Sequence, residues 1–266
     1  MAGDIHADEV AKGERFEFGK NWSLFIKEVT EEKICAAEDS LKSMLRVESL
    51  EGKTFLDAGS GSGLFSLAAR RLGATVTSFD FDPASVNCTE ALKKAYFPDD
   101  YCWAIHEGSV LDTEFMVGLG QFDIVYSWGV LHHTGNMIQA FENVVHCVSD
   151  NGEIFIAIYN DQGWLSKYWA FIKRLYNKGL SGKVVASLVP LPYFIAHSIY
   201  RALIPKKRPR GMSWWRDFLD WVGGYPFEVA SPGSIVDFYY EHGFALIKQK
   251  TVNNKHGCNE FVFKRL

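Results

Sequence analysis

The sequence predicts an α/β protein: a doubly wound, mostly parallel seven-stranded sheet, finished by an antiparallel C-terminal hairpin and interrupted by a helical insertion that acts as a cap. Three observations carry this. Short apolar runs alternate with amphipathic stretches from residue 53 onward. A glycine-rich turn closes the first run at Gly59, Gly61 and Gly63. The rhythm stops after Tyr159 and resumes near Pro232.

Residues 1–50 form an N-terminal lid or helical extension. Within it EEKICAAEDSLKSMLRV, 31–47, carries helical spacing at Ile34, Ala37, Leu41, Met44 and Leu45. Residues 51–159 form the core, with TFLDAG, ATVTSFD, YCWAIHEG, FDIVYS and EIFIAIY as strands. LFSLAARRL, PASVNCTEALKKAY and MIQAFENVVHCV are helices between them. Strict alternation implies right-handed crossovers and helices on both faces of a parallel sheet. Residues 160–231 are the cap. Residues 232–266 return to the core as the helix SIVDFYYEHGF, closed by Gly243, and the strands ALIKQKTV and CNEFVFKRL, near enough in sequence to pair antiparallel.

Composition sets the class. At 47% apolar and 23% charged, 266 residues suit a large globular domain carrying a cap. A net charge of −4 draws the chain to neither nucleic acid nor membrane, except through a local patch. The five scattered cysteines form no CxxC pair, so neither a disulfide framework nor a zinc site is indicated. The first twenty residues lack the apolar stretch of a secretory signal, which makes a cytoplasmic location the default expectation. Monomer and homodimer both remain open.

The stretch FLDAGSGSGLF places its glycines between the first strand and a helix, where backbone N–H groups can approach a ligand. The spacing is GxGxG, not the GxGxxG of dinucleotide binders. Asp80 ends the second strand, where a carboxylate can accept from a ribose diol. In EGSVLD, Ser109, the Val110 backbone and Asp112 are placed to meet an adenine edge.

Together these features resemble the class I S-adenosylmethionine-dependent methyltransferases, over residues 53–159 and 232–266, with LDAGSGSG as the first motif. The resemblance implies S-adenosylmethionine as cofactor and S-adenosylhomocysteine as product. It implies that Gly59, Gly61 and Gly63 cradle the methionine moiety and that Asp57 lies near its amino group. Asp80 matches the ribose ligand, Ser109 and Val110 match the adenine contacts, and Ser127 at the end of the fourth strand joins the cofactor set.

That strand runs on into GVLHHTGN, where the family positions its acceptor. Methyl transfer from a sulfonium needs mainly positioning and desolvation, and a base only for a hydroxyl, a protonated amine or a carbon acid. His132 or His133 is the candidate base, since imidazole titrates near pH ~6.5. The alternative is that one of them packs under the following helix and bonds to backbone. Neighbouring side chains on a strand face opposite ways. No third ligand stands at a metal-site spacing, so no metal is expected.

Aromatics flank the core. RFEFGKNW brings Phe18, Lys20 and Trp22 to where related enzymes place a lid, and WWRDFLDWVGGYPFEVASP presents Tyr225 and Glu228. Tyr159 and Asn160 follow the fifth strand. These are the acceptor-site candidates, with packing of a cap as their bland alternative. The apolar run 184–200 is too short and too interrupted by Pro190, Pro192 and His197 to span a membrane. With KKRPR behind it, 184–210 is either a cap or dimer surface, or an interfacial element for a lipid-like substrate or anionic partner.

The expected activity is methyl transfer to a small or medium-sized metabolite. Two rivals stay open. One is a tRNA-modifying enzyme using carboxylated S-adenosylmethionine; Lys20 sits in a comparable N-terminal setting, but a tyrosine of those enzymes aligns with His132. The other is a non-catalytic cofactor-binding protein.

Overall fold

The computed structural model of the chain describes residues 2–189, 218 and 221–266. Its sheet contains β1 (Thr54–Ala58), β2 (Thr75–Asp80), β3 (Trp103–Glu107), β4 (Phe122–Trp128), β5 (Val148–Tyr159), β6 (Phe244–Lys250) and β7 (Cys258–Arg265). Their order is β3-β2-β1-β4-β5-β7-β6. β1 pairs in parallel with both β2 and β4, β2 with β3, and β4 with β5. β7 runs antiparallel between β5 and β6. The strand order therefore reverses between β1 and β4, and the carboxyl ends of those two strands open the crevice in which such sheets take ligands.

The pleat sorts the core into two layers. Phe55, Ile124 and Tyr126 face α3 (Glu31–Leu45) and α4 (Leu64–Arg71), joined there by Leu92 of α5 (Pro83–Tyr96). Leu56, Val125 and Ile156 face the other way, against Met116 of α6 (Thr113–Gly118), Phe141 of α7 (Met137–His146) and Tyr239 of α10 (Pro232–Glu241). Side chains start most of the interstrand helices. Asp82 accepts from the Ala84 N–H with Pro83 in the first helical position, Asp112 accepts from Phe115, and Ser231 from Ser234.

Two short N-terminal helices, α1 (Ala2–Ala11) and α2 (Phe18–Phe25), and the 3-10 turn Leu131–His133 were not legible as helical spacing. β5 begins at Val148, five residues before the apolar run that announces it, after a register shift against Phe122 and Ile124. The insertion after β5 contains α8 (Trp164–Tyr176), α9 (Gly179–Leu188) and a small apolar core of its own, including Trp169, Ile172, Phe218 and Val222. Of the run 184–210 only 184–189 is described, and the basic KKRPR lies outside the described residues. No helix among the described residues is long and apolar enough to cross a membrane.

Gly63, at the start of α4, has φ +76°, and a Cβ there would stand 2.8 Å from the Thr89 Cα in the neighbouring helix. Gly120 has φ +83° with open space around it. Gly120→Ala should therefore cost about 1 kcal/mol in left-handed strain alone, and Gly63→Ala at least about 1 kcal/mol more, read as the difference in urea-unfolding free energy.

Candidate active site

The turn after β1 fills the crevice floor. A Cβ on Gly59 would lie 2.4 Å from Val130 in the loop after β4, so the two strand ends approach as closely as they do only with glycine there. The Gly59 and Ser60 N–H groups donate to Phe79 O at 2.9 and 3.0 Å, which ties the turn to β2. Gly61 N–H donates to Asp80 Oδ2 at 2.8 Å, and Asp82 N–H donates to Asp80 Oδ1 at 2.9 Å. Burial nevertheless pushes the Asp80 carboxyl up to about 6.

Asp57 lies on the α4 side of β1, 2% exposed, and accepts from Ser66 Oγ at 2.5 Å. Ser78 Oγ donates to Ser66 Oγ at 2.8 Å, and Trp103 Nε1 donates to Ser78 Oγ at 2.9 Å. This buried relay runs from β3 through β2 and α4 to one carboxyl group. Burial raises Asp57 to about 7 despite the Ser66 bond, with Asp80 adding repulsion.

The other cofactor candidates are spent differently. Ser109 Oγ accepts from Leu111 N–H at 3.2 Å, Asn143 Nδ2 donates to Val110 O at 2.8 Å, and Asp112 is the exposed cap of α6. Ser127 is fully buried, and its hydroxyl donates to Ala58 O at 2.7 Å, between neighbouring strands.

The two histidines do not sit on a strand. They belong to the 3-10 turn after β4, and both rings turn to one side, 4.5 Å apart, each against Tyr159. The expected alternation fails because β4 has already ended at Trp128. His132 Nδ1 accepts from Tyr159 N–H at 3.4 Å, and its Nε2 finds no partner among the described residues. His133 Nδ1 lies 2.5 Å from Pro226 O. A carbonyl only accepts, so Nδ1 carries the proton and the lone pair is on Nε2. Burial above all, then the Lys173 ammonium, push His133 down to about 3; burial, His133 and Lys173 hold His132 well below the usual imidazole range.

The cap supports this turn. Glu228 donates its N–H to His132 O at 2.9 Å, and its Oε2 accepts from Met137 N–H at 3.0 Å, so it caps α7; burial raises its carboxyl. Tyr225 O accepts from Phe16 N–H at 2.9 Å. Asn160 is consumed in holding the 253–259 loop, donating to Asn253 O and accepting from Asn259 Nδ2.

The N-terminal segment closes the crevice from above. Gly19 N–H donates to Asp82 Oδ2 at 2.8 Å and Gly3 N–H to Glu107 Oε1 at 2.6 Å. A Cβ on Gly61 would stand 3.1 Å from the Trp22 indole, and the Phe18 ring lies 5.0 Å from the His133 ring. Trp22 and Phe18 are four residues apart on α2, so one face of one helix covers both the glycine turn and the histidines. Lys20 instead pairs with Glu17 on the outside at 2.7 Å.

Four contributors escaped sequence reasoning. Arg15 donates to His133 O at 3.0 Å and lies over the Phe81 ring. Asp82 joins lid and α5; its Asp-Pro signature announced a helix start and nothing more. Lys173 is fully buried, donates to Trp221 O, and has Trp221 and Phe227 rings 4.7 Å from its ammonium. Charge on a helix reads as a solvated face, so nothing in the sequence signalled Lys173 or its partner Phe227.

A sheet of this order, with a glycine turn after β1 and an acid ending β2, has the Rossmann-like architecture that takes ligands at the carboxyl ends of β1 and β4. Comparison with known proteins agrees. Residues 56–154 match the family model described as a methyltransferase domain. The ubiquinone biosynthesis O-methyltransferase of Escherichia coli is 29% identical over 140 residues, covering 50% of this chain and 56% of that protein. The chain thus spans about half the length of the curated relatives it matches. The magnesium protoporphyrin IX methyltransferase of Synechocystis PCC 6803 with bound S-adenosylhomocysteine aligns with TM-score 0.54 at 13% identity, over 88% of this chain and 84% of that one. The putative methyltransferase of Haloferax volcanii in complex with its Trm112 activator aligns with TM-score 0.55 at 14% identity, over 94% and 96%. At such identity the likeness is one of fold. Residues 56–154 are thus similar in sequence to a methyltransferase domain, and the sheet has the fold of Rossmann-like methyltransferases.

Because His133 is depressed to about 3 in the folded protein, its ring should stay neutral throughout the working range. Its imidazole NMR signals should not move between pH 8 and 5, where an unperturbed ring titrates near ~6.5. An inflection between pH 6 and 7 would show a solvated imidazole instead.

Proposed function

We propose that the protein transfers a methyl group from S-adenosylmethionine to a hydroxyl of a small or medium-sized metabolite. The observation that carries this reading is α2, whose Trp22 and Phe18 cover the Gly61 turn and His133 with one helical face. A donor site and an acceptor site beneath one lid are what methyl transfer requires.

The residues fit the cofactor. Gly59, Gly61 and Gly63 carry no side chain that would meet a ligand at the turn. Burial raises the Asp57 carboxyl to about 7 and that of Asp80, half-buried at the end of β2, to about 6, where a positive or hydroxyl-rich ligand would favour their ionised forms. Asp57 would receive the ammonium, Asp80 the ribose diol, and Ser109, Val110 and Asp112 the adenine edge. Ser127 acts through the strand it ties to Ala58. The bound cofactor supplies a methyl group already activated by its sulfonium. His133 Nε2, a neutral acceptor of fixed tautomer, orients the acceptor hydroxyl; as the methyl group leaves sulfur and bonds the oxygen, the hydroxyl proton, made strongly acidic by that bond, passes to Nε2 and on to water. His132 braces His133, and Phe18, Trp22 and Tyr159 exclude water. Tyr225 and Glu228 shape the far wall through the lid and α7.

On this reading residues 1–50 are the lid, 51–159 and 232–266 the core, and 160–231 the cap over the acceptor. The oxygen acceptor is supported by the O-methyltransferase of Escherichia coli among the relatives. No observation favours the tRNA-modifying or non-catalytic alternatives; Lys20, the residue the first rested on, pairs with Glu17 at the surface.

Calorimetry with S-adenosylhomocysteine tests the donor half. Asp80→Ala should weaken binding by ~1–3 kcal/mol, the range for hydrogen bonds to charged groups. Because the ligand's ammonium favours ionised carboxylates, affinity should rise as pH increases from 5.5 to 8, through the values near 6 and 7 of Asp80 and Asp57, and Asp57→Asn should flatten that rise. His133→Ala should keep the affinity and lower turnover on hydroxyl acceptors; unchanged turnover in the folded variant would remove His133 from the reaction.

A further inference from the structure

The stretch from Gln162 to Arg216 contains eleven of the chain's 28 Lys and Arg residues and none of its 32 Asp and Glu residues. Its described part, 162–189, holds five of these cations and no acid, so on a chain of net charge −4 this segment is locally positive. Within its described part, α8 sorts residues sharply by face. Trp169, Ile172, Lys173 and Tyr176 point inward to the cap core. Trp164, Lys167, Phe171 and Arg174 follow one another at three- and four-residue steps on the opposite face, and all four are exposed, Trp164 by 76% and Phe171 by 65%. On α9, which packs against α8, Leu180, Val184 and Leu188 repeat every four residues and are exposed by 80, 51 and 60%, with Lys183 among them.

We infer that these outward faces of α8 and α9 dock the protein on an anionic lipid bilayer surface. Aromatic and aliphatic side chains interleaved with cations, on helices that contain no Asp or Glu, match a surface that is negative at its headgroups and apolar beneath them. A second copy of the chain is the poorer partner, since an isologous contact would set this cationic stripe against itself. A nucleic acid would use the cations and leave the aliphatic ridge of α9 in water. No described helix crosses a membrane, so the contact is one of surface. The acidic remainder of the molecule is repelled by the same bilayer, which fixes the orientation with α8 and α9 facing it. If the methyl-transfer reading holds, the inner face of α8 then roofs an acceptor chamber opened towards the membrane, suited to a lipid-soluble hydroxyl compound.

Cosedimentation of the full chain with vesicles tests this without cofactor or turnover, so its failure leaves the proposed reaction standing and the failure of that reaction leaves it standing. The protein should pellet with phosphatidylcholine vesicles containing phosphatidylglycerol, remain in solution with phosphatidylcholine alone, and be released by salt. Lys167→Glu/Arg174→Glu/Lys178→Glu should weaken partitioning roughly tenfold or more, and Trp164→Ala/Phe171→Ala should weaken it at unchanged charge. Both variants change exposed residues, so their unfolding midpoints should match the parent. A parent that stays in solution, binds both vesicle types alike, or pellets equally well in either variant overturns the inference. So does a failure to pellet combined with dimerisation through this face or with binding of single-stranded RNA abolished by the same substitutions.

Discussion

Three carboxylates at the ends of β1 and β2 have little water around them, and the architecture of the crevice follows from how they are satisfied. An unpaired buried charge costs several kcal/mol, and backbone N–H groups are the donors at hand. Asp80 takes those of Gly61 and Asp82, Asp82 takes those of Ala84 and Gly19, and Asp57 takes the Ser66 hydroxyl. Through these bonds the glycine turn, the start of α5 and the lid are drawn to one point from positions 63 residues apart in sequence. The same burial keeps Asp57 and Asp80 near the neutral range, so a cationic, hydroxyl-bearing ligand gains more there than at a solvated acid.

The histidine pair answers to a different constraint. β4 ends before it, and a 3-10 turn must carry the chain from a buried sheet to α7 without orphaned backbone groups. The cap supplies the partners: Glu228 N–H meets His132 O, and Pro226 O meets the His133 ring. The bond that anchors the turn also fixes the His133 tautomer, with the proton on Nδ1 and the lone pair on Nε2. Burial above all, with the Lys173 and Arg15 charges adding to it, holds the His133 ring neutral.

The core was legible in the sequence because its signals are periodic: the period-two strands, the helices between them and the glycine turn depend on local pattern alone. Asp80 was legible for the same reason, as the acid that ends β2. The lid was not. α1 has a weak amphipathic pattern, and the anchors that seat the lid are the main-chain N–H groups of Gly3 and Gly19, which no side-chain reading can see. Asn160 and Ser127 show the opposite limit, polar residues at the right sheet edge whose bonds go to neighbouring strands and loops. Lys173 was invisible because burial of a lysine follows from its aromatic surroundings, assembled from segments 48 and 54 residues further on.

The central claim is that the lid and the glycine turn are one cooperative unit, joined at Gly19–Asp82 and Trp22–Gly61. Amide hydrogen exchange with and without S-adenosylhomocysteine tests it most directly. Exchange should slow together over residues 2–25, 59–63 and 80–82 when the ligand is added. Slowing confined to 59–63 and 80–82, with 2–25 unchanged or faster, would show that the donor site works without its lid and would contradict it.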